Sequence, residues 1–156
     1  MLSAPRAEPA SIRDSTIGSV PVTTWTPDHP RGPVVVVVHG LAGSRQVMQP
    51  YALALARTGF TTLTLHLPGH GANPRPLRWA DLREGPAESL ERALDAVVGQ
   101  ARRLGDGRVA LVGHSIGANA VGGGIHGRPA GHDVGYGVGR RLRGAFPPRG
   151  TSGDLP

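Results

Sequence analysis

The apolar run Val109-Ala110-Leu111-Val112 leads straight into Gly113-His114-Ser115-Ile116-Gly117. A buried strand that ends on a serine between two glycines leaves few folds open. This is the G-x-S-x-G elbow, a sharp strand-to-helix turn that lifts a serine oxygen from the top of a sheet. Gly113 and Gly117 suit it because larger side chains would collide where strand and helix close together. The helix that follows has its first N–H groups unpaired, so the backbone N–H of Ile116 is available where negative charge would form.

The residues before the elbow supply a sheet for it. Residues 1–10 read as a disordered leader, and Ser11–Ile17 and Val20–Trp25 as an edge hairpin turning at Gly18-Ser19. Val34–Val38 is five consecutive valines, which suits a parallel central strand covered on both faces. His39-Gly40-Leu41-Ala42-Gly43 is a glycine-containing loop after it. Ser44 is a fair N-cap, but a helix from there would carry Pro50 in its interior. The helix is therefore expected to start at Pro50 and to run through Arg57 to a stop at Gly59.

Phe60–Leu67 reads as the next strand, ending in Pro68-Gly69-His70-Gly71. A proline-containing loop spans 72–85; its Leu77 and Trp79 suit either a pocket wall or a surface contact. Pro86–Leu104 has Leu90, Leu94, Val97, Val98, Ala101 and Leu104 on one helical face. Gly105 stops that helix, and the strand Arg108–Val112 follows. Strand, helix, strand, helix, strand implies βαβ units and a parallel sheet with right-handed crossovers.

After Val121 the composition shifts. Of the 36 residues from there on, 11 are glycine and 4 are proline, and Gly122-Gly123-Gly124 should end the elbow helix after about two turns. No strand or helix is expected in 121–156, which reads as disordered. The outer edge of the 108–112 strand is then an unpaired template, open to self-association with another chain. The domain so delimited is 11–120.

Composition removes several function classes. There is no cysteine, hence no disulfide and no thiolate metal site. No cofactor or metal is implied. The net charge is +6, yet all 17 basic residues are arginine and they scatter along the chain. A nucleic-acid surface would cluster them beside aromatics, so no nucleic-acid partner is expected. No apolar run reaches the roughly 20 residues of a membrane span and no signal-peptide core opens the chain, which makes a cytoplasmic protein without membrane contact the expectation.

Three motifs, each at the end of an expected strand, carry a resemblance: His39-Gly40, Leu67-Pro68-Gly69-His70-Gly71 and Gly113-His114-Ser115-Ile116-Gly117. Over residues 11–120 the chain resembles the first half of an α/β-hydrolase-fold serine hydrolase of the esterase, lipase and serine-aminopeptidase-like group. The implied class is α/β: an incomplete α/β-hydrolase fold with a parallel sheet, an N-terminal edge hairpin, flanking helices and a disordered C-terminal tail. The resemblance makes Ser115 the catalytic nucleophile and the N–H groups of Leu41 and Ile116 the oxyanion hole. His39 and Gly40 support the loop; Gly113, His114 and Gly117 support the elbow. His70 orders its own turn. His66 stands where the family commonly has aspartate. The substrate implied is a small acyl ester, amide or thioester.

That family orders its triad as serine, then acid, then histidine. After Ser115 the chain offers His126, His132, Asp133 and Asp154, none after a strand-like run. The triad acid and histidine are therefore not found. The chain reads either as a hydrolase lineage inactive in this truncated or frameshifted form, or as a binding or scaffold protein built on part of the fold.

Overall fold

The computed structural model describes residues 9–77, 88–118, 120–121 and 133–138. Its elements in chain order are β1 (Pro9–Ile17), β2 (Val20–Pro27), β3 (Val34–Val38), α1 (Gln49–Arg57), β4 (Thr62–Leu65), α2 (Glu88–Leu104), β5 (Val109–His114) and β6 (Asp133–Val138). A helical segment follows β5 at 116–118 and 120–121. The strands form one sheet in the order β1-β2-β4-β3-β5-β6.

The N-terminal hairpin pairs antiparallel and sits at one edge, with β2 antiparallel to β4. From β4 onward all pairs are parallel: β3 with β4, β3 with β5, and β5 with β6. The valine run is the middle of this sheet, as its composition predicts. Val34, Val36 and Val38 face one core with Leu90, Leu94, Val97 and Ile116. Val35 and Val37 face the other side, against Met48, Leu55 and Phe60. All five are 5% exposed or less, and each such burial is worth about 1.5–3 kcal/mol against an exposed valine.

The helices start and stop for local reasons. α1 begins one residue before Pro50, whose missing N–H costs nothing in a first turn. Ser44 does not cap it; its Oγ accepts a hydrogen bond from the Val47 N–H in the preceding turn. The C-terminus closes at Gly59 (φ 100°). There the Gly59 N–H donates to Ala56 O at 2.9 Å and the Phe60 N–H to Leu55 O at 3.2 Å, the two bonds of a Schellman motif. α2 buries Leu90, Ala93, Leu94, Val97, Val98 and Ala101. Leu104, expected on that face, is 45% exposed because the stripe ends a turn earlier.

Two sequence expectations need correction. The leader was expected to extend to residue 10, yet Pro9 and Ala10 already belong to β1; residues 1–8 lie outside the described residues. The tail was expected to hold no strand, yet Asp133–Val138 pairs with β5 along its whole length. The edge of β5 is thus occupied by β6, which removes the basis for self-association through it. Val134, Tyr136 and Val138 do alternate with Gly135 and Gly137, but glycines are depleted in strands and weaken the signal. The remainder of 122–156 lies outside the described residues.

Candidate active site

The three parallel strands β3, β4 and β5 end together, and each motif loop leaves from that edge. Val38 pairs with Gly113, so the loop after β3 and the turn after β5 start at the same level. Ser115 is the turn residue, with φ 54°. It is the one non-glycine residue with positive φ among the described residues. Left-handed backbone costs a side-chain-bearing residue roughly 1–2 kcal/mol, and here the surrounding contacts hold it.

Those contacts explain the flanking glycines. A Cβ on Gly113 would overlap the Gly117 carbonyl oxygen and lie 2.6 Å from Ala118 N. One on Gly117 would lie 2.5 Å from His39 O and 2.6 Å from Val38 O. The elbow helix is thus pressed against the end of β3. Gly40 closes the junction from the other side, since its Cβ would meet His114 Nδ1 at 2.7 Å and Ser115 Cβ at 3.2 Å. His114 is exposed and covers Gly40, while Ile116 is 2% exposed and sits in the core with half-buried Leu41 packed against the same cluster.

The loop after β3 is fixed by two histidines. His39 is fully buried. Its Nδ1–H donates to Gly40 O at 2.7 Å and its Nε2 accepts from the Leu67 N–H at 3.1 Å. Those partners define one neutral tautomer. Burial, with smaller contributions from His70 and His66, holds the His39 pKa down to about 4 against the bond to Gly40. Gly40 O accepts a second bond, from the Gly43 N–H at 2.9 Å. In a trans peptide the C=O and the following N–H point opposite ways. Holding Gly40 O in the turn therefore directs the Leu41 N–H out of it.

His70 adds a contact that the motif does not announce. Its Nδ1 lies 2.9 Å from Pro68 O, within its own turn as expected, and its Nε2 hydrogen-bonds Leu41 O, 29 residues away. The signal for that second bond was the pairing of His39-Gly40 with Pro68-Gly69-His70-Gly71 on adjacent strands.

His66, in the turn after β4, has a partner on each ring nitrogen. Its Nδ1 accepts from the Ala72 N–H at 3.2 Å, and its Nε2–H donates to Gln46 Oε1 at 2.9 Å. Burial, then Arg45, lowers its pKa. Asn73, also buried, donates from Nδ2 to His66 O at 2.7 Å. Leu77 packs half-buried on the main core, so it is part of the fold's interior; Trp79 lies outside the described residues.

Residues 33–121 match the family profile of the alpha/beta hydrolase fold. The chain belongs to that family. It is 33% identical over 87 residues to 2-(acetamidomethylene)succinate hydrolase of Mesorhizobium japonicum, a match covering 56% of this chain and 28% of that protein. Among solved structures, an epoxide hydrolase from Vigna radiata superposes with a TM-score of 0.57 at 24% identity, over 76% of this chain and 36% of its own. The thioesterase domain from the curacin biosynthetic pathway gives 0.53 at 26% identity, over 71% and 37%. The chain thus spans about a third of the length of these hydrolases.

The residues that would complete a hydrolase triad are not assembled in the described part. Asp133 pairs with Val109, at the opposite end of β5 from the elbow. Five residues of strand, about 17 Å, separate that level from His114, so Asp133 is not the triad acid. His126, His132 and Asp154 lie outside the described residues. Among the described residues no cluster of metal-binding side chains occurs and no helix is long and apolar enough to cross a membrane.

Proposed function

We propose that this chain carries the nucleophile and oxyanion half of an acyl-hydrolase site, with Ser115 as the attacking residue. The observation that carries the reading is the left-handed backbone at Ser115, wedged between Gly113 and Gly117 at the end of a central parallel strand. Strain of this kind persists where packing enforces it, and it serves to present the side chain.

The chemistry follows from the loop. A carbonyl attacked by Ser115 Oγ develops negative charge on its oxygen. The Ile116 N–H, first in the elbow helix, and the Leu41 N–H, turned outward by the bonds on Gly40 O, are the donors for it. Each such donor is worth roughly 2.7–4 kcal/mol in a working site. The substrate class is an ester, amide or thioester acyl group. Buried His39 is neutral and has both ring nitrogens occupied, so it orients the loop and takes no proton from the serine.

A serine hydroxyl needs a base to take its proton, and we assign none of the described histidines to that task. The reading therefore expects little serine-dependent turnover from the chain alone, and more when a small external base is supplied. The test is hydrolysis of a short p-nitrophenyl ester by the full chain and by Ser115→Ala, with and without added imidazole. Without imidazole the two should agree within about tenfold, ~1.4 kcal/mol. With imidazole, wild type should exceed the variant beyond the imidazole-only rate. Equal rates under both conditions would remove Ser115 as nucleophile. A wild-type excess above tenfold without imidazole would show that the chain holds its own base.

A further inference from the structure

We propose that His70 is a positioning residue of the oxyanion loop, a bridge that fastens the turn after β4 to Leu41 only while both of its ring nitrogens carry protons. The inference rests on the oxyanion role given above to the Leu41 N–H. Its warrant is the pair of partners on the ring. Nδ1 faces Pro68 O at 2.9 Å and Nε2 faces Leu41 O, and carbonyl oxygens only accept. A neutral imidazole has one N–H and one lone pair, so it can satisfy one of the two. Both bonds form together only on the imidazolium.

The neighbouring histidines show the contrast. His39 and His66 each face one acceptor and one donor: Gly40 O and the Leu67 N–H for the first, Gln46 Oε1 and the Ala72 N–H for the second. Each is thereby matched to a neutral ring. The three form one cluster, with ring centroids 4.8 Å apart for His39 and His70 and 6.3 Å for His39 and His66. Among the described residues, these two rings, just past the ends of β3 and β4, are the ionisable groups beside His70, with Arg45 and Asp14 acting on His66 from beyond it. Since His39 and His66 are neutral, neither opposes a charge on His70.

The two bonds are not equally durable. The bond to Pro68 closes a turn within two residues, whereas the bond to Leu41 joins two loops. When the ring loses a proton, the longer-range bond is the one released, since keeping it costs more chain entropy. Leu41 O then loses its holder, and the Leu41–Ala42 peptide, next in the chain to the one that carries the Leu41 N–H, gains freedom. The oxyanion loop is thus ordered by a proton on a residue that touches no substrate.

The test is a pH titration of the full, isotope-labelled chain across about pH 5 to 8, reading the His70 ring nitrogens and the backbone amides of Leu41 and Ala42 by NMR. The Leu41 and Ala42 signals should move with the midpoint at which the His70 ring goes from two protons to one. In His70→Gln, whose amide donates at every pH, that response should vanish. A single neutral tautomer of His70 throughout would overturn the proposal, as would a Leu41 response that persists in His70→Gln. The wild-type titration decides the matter even if the variant does not fold. No turnover is needed, so a failure of Ser115 as nucleophile would show in the ester assay and leave this readout intact.

Discussion

At the scale of single residues, the two groups that matter most are Ser115, held in an unusual backbone conformation, and His39, held uncharged to a lower pH than in water. Ser115 has a left-handed backbone. Ser115→Gly should therefore leave the fold intact and stabilise it by up to about 1 kcal/mol, read as a higher urea midpoint with unchanged slope; a destabilised variant would show that the turn is not strained. His39 is held neutral, with a pKa of about 4 against an ordinary 6.5. The unfolded chain thus takes up that proton first as pH falls. Stability from this group is complete above about pH 6.5 and is lost as pH drops towards 4, by on the order of 3 kcal/mol. Urea unfolding near pH 7 and near pH 4.5 should show this loss, and His39→Asn should make it shallower while costing about 1–3 kcal/mol at neutral pH through the unpaired Leu67 N–H. An unchanged acid slope in the variant would assign the effect elsewhere. The serine and its glycines are legible in the sequence because each is needed for a steric reason local to the turn. The bond from His70 to Leu41 is not legible within Leu67–Gly71 itself; only the adjacency of β3 and β4 points to the loop that lies opposite.

At the scale of elements, the site depends on how closely the elbow helix approaches the end of β3. Gly117→Ala places a methyl 2.5 Å from His39 O and 2.6 Å from Val38 O, backbone atoms that cannot rotate away. It should destabilise the chain by about 1–3 kcal/mol. A thermal midpoint equal to wild type would mean that helix and strand are not in contact. On the same face of the sheet as the elbow helix, Leu94 of α2 is fully buried against the valine strand. Leu94→Ala should cost about 2–5 kcal/mol by chemical denaturation. The βαβ order, the hairpin and both helices could be read from apolar runs and helical spacing, because those patterns report burial directly. β6 could not. Its pairing is set by the open edge of β5, a partner more than 20 residues earlier, while its glycines argue locally for loop.

At the scale of the whole molecule, a sheet of one antiparallel hairpin and four strands in parallel brings three loops to a single edge. His39-Gly40-Leu41, His66 to Gly71 and Gly113 to Gly117 are distant in sequence and meet there through the parallel register alone. The proposed half-site is therefore built from contacts that the described residues make among themselves. The most direct check is covalent labelling by a fluorophosphonate in the presence of imidazole, followed by intact-mass and peptide analysis of wild type and Ser115→Ala. The account expects a single adduct on Ser115 in wild type and none in the variant. An adduct of equal yield in both chains, or one located on another residue, would contradict it.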